Sequence, residues 1–136
     1  MLWEADSMDD READNALIDE LIELGIDLGR LREARFHFVF DNESSAESVA
    51  ARLTHDDYAC EVTEMKPNIF VRLFKKSEWL VSATKVMVLD CYIISELRTE
   101  FSAIMAETNG FYDGWEVEVF PEEQNALPGF SGFYRI

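Results

Sequence analysis

Between residues 34 and 120 the hydrophobic period of the chain changes in a definite order, and that order limits the fold more than any single residue does. Residues 34–41, ARFHFVFD, set Phe36, Phe38 and Phe40 against Arg35, His37 and Val39, which is the two-residue period of a half-buried strand. Directly after it, Ser44 and Glu47 have the spacing of a capping box, and Ala46, Val49, Ala50 and Leu53 line one helical face. A second apolar stretch begins at Tyr58, passes through Cys60 and Val62, breaks at Lys66-Pro67-Asn68 and resumes as NIFVRLF, the proline implying a bulge, an edge or a turn. Lys75-Lys76-Ser77 reads as a hairpin connection into a strand over residues 78–88, with Trp79, Val81 and Ala83 on one side and Leu80, Ser82 and Thr84 on the other. Asp90 is placed to cap a longer helix in which Ile94, Leu97, Phe101, Ile104 and Met105 share a face, and Asn109-Gly110 closes it. The last strand is FYDGWEVEVF, residues 111–120.

Strand, helix, strand, strand, helix, strand is the ferredoxin-like split arrangement. The predicted fold is therefore α+β, a ferredoxin-like βαββαβ sandwich. Right-handed crossovers place both helices on one face of a four-stranded antiparallel sheet with the first and third strands central. The other face is left for the N-terminal helix or a partner. That helix is predicted from about residue 9 to residue 24, where Leu17, Leu21, Leu24, Leu28 and Leu31 follow one another at spacings of four and three. Gly25 and Gly29 end the regular helix before the stripe ends, so the later leucines belong to a connection packed on the same core. The expected division is a flexible N-terminus at 1–8, a single domain at 9–120 and a C-terminal tail at 121–136, whose aromatic end GFSGFYRI docks back in part.

At 136 residues, with 48% hydrophobic residues, the chain is long enough to bury one core without disulfides or a structural metal. Cys60 and Cys91 match no paired metal or redox spacing and are expected as reduced thiols. No apolar run approaches the roughly 20 residues that span a bilayer, and the opening MLWEADSMDDREAD is acidic where an export signal is basic, so a cytoplasmic location is expected. Catalytic patterns are thin. His37 alternates with phenylalanines and His55 lies in HDD at a helix end, neither with a partner at metal-ligand spacing, and there is no glycine-rich phosphate loop or nucleophile elbow. The reading is a protein that is not an enzyme, with no catalytic residue, cofactor or metal.

The net charge of −16 opposes direct nucleic-acid binding and favours basic partners. Phe36, Phe38 and Phe40 occupy the strand that stacks bases in RNA-recognition modules, but they lack the basic, glycine-rich context and are assigned to packing. Residues 1–30 hold ten acids against Arg11 and Arg30. Asp9, Asp10, Glu12, Asp14, Asp19, Glu20 and Glu23 surround the apolar stripe of the first helix uncompensated by lysine, which weakens the helix and invites a basic partner; they are the candidate partner surface.

The acidic N-terminal segment leading to NALIDELIELGIDL, AESVAARL followed by YACEVTEM, EWLVSATKVMV before a long helix, and FYDGWEVEV after it form a recognisable set. Over residues 9–120 the chain resembles the regulator of ribonuclease E activity B family, a bacterial group of ferredoxin-like protein inhibitors. Tyr112-Asp113-Gly114-Trp115 is the most specific part of the likeness. The resemblance implies binding to ribonuclease E, altering its activity without cutting RNA. Better-known members end in a run of acids, whereas this chain ends PEEQNALPGFSGFYRI. Read physically, Tyr112 and Trp115 lie three apart and face opposite sides of a regular strand, with Asp113-Gly114 permitting a bulge between them; an architectural role is favoured over a contact role.

Two other functions compete. One is a self-associating homodimer with a small-ligand cleft, as against a monomer; the other is a hydrolase built on His55 and its neighbouring acids.

Overall fold

The computed structural model describes residues 15–16, 18–65, 77–121, 123 and 132–135. The elements are α1 (18–23), β1 (Arg32–Phe40), α2 (Glu43–His55), β2 (Ala59–Met65), β3 (Glu78–Met87), α3 (Cys91–Thr108), β4 (Phe111–Val119) and β5 (Gly132–Arg135). The five strands form one sheet in the order β2-β3-β1-β4-β5, antiparallel throughout. Its first four positions are the predicted arrangement, with β1 and β3 in the middle. The fifth strand, from the aromatic end of the chain, extends the expected four-stranded sheet by pairing with β4. The expected resumption at NIFVRLF and the lysines of the hairpin connection lie outside the described residues.

Alternation in β1 sorts the chain's chemistry onto two faces. Ala34, Phe36, Phe38 and Phe40 are buried beneath α2 and α3 together with Val81 and Ala83 of β3 and Val117 and Val119 of β4. From α2 the buried residues are Ala46, Val49, Ala50 and Leu53, as the helical spacing predicts. α3 supplies Ile94, Phe101, Ile104 and Met105. Phe101 is the hub of this layer, its ring centroid 4.9 Å from Phe38, 5.1 Å from Phe36 and 5.6 Å from Tyr112 in edge or tilted contacts.

The helix termini correct one expectation and bear out another. α2 is capped by Asn42, whose Oδ1 accepts the Ser45 N–H at 2.8 Å, so Ser44 and Glu47 lie inside the helix and form no capping box. The helix begins earlier because an asparagine in extended conformation already satisfies the first free donors. Asp90 caps α3 by accepting the Ile93 N–H at 2.9 Å, and Asn109, in the left-handed region at φ 54°, ends it.

The N-terminal segment joins the helix-covered side. Ile18, Leu21, Ile26 and Leu28 belong to the same buried cluster as α2 and α3, and Gly25, at φ 87°, turns the chain out of α1. Leu31 departs from the predicted stripe, being 65% exposed. Strand parity has taken over by then: Arg32 shares the inward side of β1 with Ala34, so its neighbour Leu31 turns outward. The part of the predicted helix before residue 15 lies outside the described residues.

Candidate partner-binding surface

Three constellations of polar chemistry stand on this frame, and the first is the acidic face of α1. Asp19, Glu20 and Glu23 are exposed on α1; Asp9, Asp10, Glu12 and Asp14 of the same predicted surface lie outside the described residues. Beside α1, a groove of about 740 Å³ runs to the start of α3, floored by Ile18, Ile22, Leu28 and Leu89 and edged by Asp19, Asp27 and Asp90.

The second constellation locks the fold. The Arg32 guanidinium, 1% exposed, donates to both oxygens of Glu123 at 2.8 and 2.9 Å, to the Glu118 carbonyl at 2.8 Å and to the Asp27 carbonyl. Glu123 also accepts the N–H groups of Asp27 at 2.9 Å and Phe120 at 3.0 Å. Burial pushes the Glu123 carboxyl up, but the Arg32 hydrogen bonds, those two backbone donors and the guanidinium charge outweigh it and hold it at about 2. Arg30 and Arg32 both stand over the Phe120 ring, 4.0 and 4.7 Å from its centroid.

The third lies on the sheet face away from the helices. There His37 Nδ1 meets Ser82 Oγ at 3.1 Å and His37 Nε2 meets Glu116 Oε1 at 2.5 Å, in a shallow depression that Glu33, Arg35 and Glu61 also line. Among the described residues, none of α2, α3 or the N-terminal segment contributes to that lining. A hydroxyl, an imidazole and a carboxylate in sequence resemble a nucleophile relay. Ser82, however, sits on a strand hydrogen-bonded on both sides, to β1 and to β2. Its neighbouring N–H groups run along the ladders and leave no paired donors for an oxyanion. The sequence had shown His37 without a partner. Its partners come from strands 45 and 79 positions away and follow only from the sheet order.

The Tyr112-Asp113-Gly114-Trp115 segment corrects the parity argument. β4 pairs Tyr112 with Phe38 and Gly114 with His37, so Asp113 is an extra residue in a bulge, and Gly114 takes φ 106°. The bulge shifts the alternation by one. Tyr112 and Trp115 therefore face the same side, Tyr112 5.3 Å from Phe38 and Trp115 stacked 6.0 Å from Phe36. His55 ends α2 exposed, with exposed Asp56 and Asp57 after it. Among the described residues no group of three or more His, Cys, Asp or Glu side chains is arranged to hold a metal, and no helix is long and apolar enough to cross a membrane.

Fold and surface together define an acidic α+β-sandwich protein whose packed elements leave carboxylates outward. The model of the family described as "Regulator of ribonuclease activity B" matches residues 11–117, and the chain belongs to that family. A comparison with curated proteins found no match.

Proposed function

We propose that this protein regulates RNA decay by binding ribonuclease E, presenting its acidic surface around α1 to a basic, arginine-rich segment of that enzyme or its assembly. The observation behind this reading is the pairing of a −16 charge with the exposed carboxylates Asp19, Glu20 and Glu23 of α1. Membership of a family of ribonuclease regulators supplies the class of partner. Opposite charges speed encounter and reject wrong partners, while apolar anchors set the lifetime of the complex. The protein acts as a ligand of the nuclease in the cytoplasm and performs no reaction of its own; the flat setting of Ser82 supports this.

Titration of the protein into purified ribonuclease E, at low and at high salt, tests the reading. A complex is expected at low salt, weakening steeply as salt screens the charges, together with altered RNA cleavage by the nuclease. Failure to form a complex at low salt would refute it. So would RNA cleavage by this protein alone.

A further inference from the structure

We propose that the groove between α1 and the start of α3 is the docking site itself, and that its occupant is a partner segment presenting an apolar side chain flanked by arginine or lysine. This deepens the reading above and rests on it.

The groove is apolar in its floor and anionic at its edge. Ile22 is 56% exposed there although Ile18 and Leu21, on the same helix, are buried, so α1 holds one large aliphatic side chain out of the core and against the opening. A single exposed aliphatic side chain is ordinary, but Ile22 stands beside an apolar opening that Ile18, Leu28 and Val88 also line, so the apolar surface there is continuous. Asp19, Asp27 and Asp90 stand round that floor, and among the described residues no lysine or arginine lines it. A volume of about 740 Å³ lies in the range that takes a few side chains of a bound segment.

Charge narrows the occupant. Residues 1–14 of the chain hold Glu4, Asp6, Asp9, Asp10, Glu12 and Asp14 against Arg11, which disfavours them beside an acidic edge. A second copy brings a further −16, but its residues 66–76 hold Lys66, Arg72, Lys75 and Lys76 without an acid, so that stretch, of the chain itself or of a second copy, is the rival occupant that the test separates. A basic segment with an aliphatic anchor satisfies both parts: its apolar residue buries against Ile22 while its cations meet the three aspartates.

Cys91 lines the groove and its thiol is exposed, whereas Cys60 is partly buried and burial pushes its thiol up. Cys91 also borders a second opening lined by Tyr92, Ser95, Glu96 and Thr99, so its alkylation reports occupancy of the groove when read together with the groove variants. The full-length protein is titrated with ribonuclease E, and binding and Cys91 alkylation are followed together for wild type, Ile22→Arg, Asp19→Lys and Glu20→Lys. Asp19, Glu20 and Ile22 are all exposed, so the fold tolerates the changes. Glu20 does not line the groove and controls for general loss of negative charge.

The expected result is slowed Cys91 alkylation in the complex, a loss of affinity of about tenfold or more for Ile22→Arg and Asp19→Lys, and only a few-fold loss for Glu20→Lys. Binding that leaves Cys91 reactive, with all three variants equally affected, would overturn the groove and leave the regulator reading standing. Failure of wild type to bind would overturn that reading and this proposal with it. Protection of Cys91 in the free protein would also overturn the proposal: independent of concentration it assigns the groove to the chain's own residues, and rising with concentration it assigns it to a second copy.

Discussion

Arg32 and Glu123 lie 91 positions apart in the chain, and their charged groups meet at 2.8 Å with both side chains buried. The pair ties the first residue of β1 to the turn after β4 and, through the Asp27 carbonyl and N–H, to the loop after α1. It therefore fastens the loop after α1 and the turn after β4 to the start of β1. A buried ion pair of this kind offers little net gain over an apolar substitute, but removing one partner strands the other charge.

Arg32→Ala is accordingly expected to destabilise the fold by about 3–5 kcal/mol. Arg32→Lys should lose a large part of the same amount, because a single ammonium cannot reach both Glu123 oxygens and two carbonyls at once. Urea unfolding checks both. A double variant, Arg32→Met with Glu123→Leu, should recover the part due to the stranded carboxylate but not the part due to the Asp27 and Phe120 N–H groups it leaves without their acceptor; if it is no more stable than Arg32→Ala, stranding of the Glu123 charge is not the source of the effect.

Acid should expose the same pair. The Glu123 carboxyl is held at about 2, below its ordinary 4.5, so the folded state binds fewer protons than the unfolded chain over that interval. Its contribution is therefore complete above 4.5 and is lost as pH falls toward about 2, amounting to about 3 kcal/mol across the window. Thermal unfolding followed from neutral pH to pH 2 is expected to show that decline, and Glu123→Gln should flatten it. An unchanged slope in the variant would assign the acid sensitivity to other carboxylates.

The order of strands and helices was legible because each element keeps its period over enough residues to be unambiguous, as Phe36, Phe38 and Phe40 do in β1 and Ala46, Val49, Ala50 and Leu53 do in α2. Exposure of Asp19, Glu20 and Glu23 was legible for the same reason. What failed were inferences that depend on a single residue of offset. Leu31 was counted with a helical stripe although strand parity had already begun, and Tyr112 and Trp115 were set on opposite faces because a bulge cannot be located by alternation alone. Arg32, Glu123 and the His37–Ser82–Glu116 contacts could not be seen at all. Their members look like ordinary surface charges until the sheet order brings distant strands together. The groove is of the same kind, since Ile22 and Leu89 meet only in the folded chain.

The bulge makes Gly114 specific. At φ 106° a side chain is strained, so Gly114→Ala should cost about 1–3 kcal/mol even though the added methyl is small. Relief of that strain would shift the register of β4 against β1, moving Tyr112 or Trp115 out of contact with Phe38 or Phe36. Near-ultraviolet circular dichroism should lose aromatic signal in step with the loss of urea stability. A variant as stable as wild type, with its aromatic spectrum intact, would show that the bulge tolerates a side chain.

Tyr58 supplies the alkaline counterpart. Its ring lies 6.2 Å from Phe36 and 6.4 Å from Phe101, under the Lys85 ammonium, and burial, followed by the charges of Glu100, Asp56 and Cys60, pushes its hydroxyl up to about 12. The folded state thus retains a proton that the unfolded chain gives up at 10. Stability from this group is complete below pH 10 and is lost as pH rises through about 12, the opposite sense to Glu123. Spectrophotometric titration of phenolate absorbance should therefore show Tyr58 ionising only as the fold gives way, so that its step coincides with the loss of far-ultraviolet signal. In Tyr58→Phe that step disappears and alkaline unfolding moves to higher pH. If phenolate from Tyr58 forms near pH 10 in a protein that stays folded, the phenol is open to solvent and the contacts described for its ring do not hold it in the core.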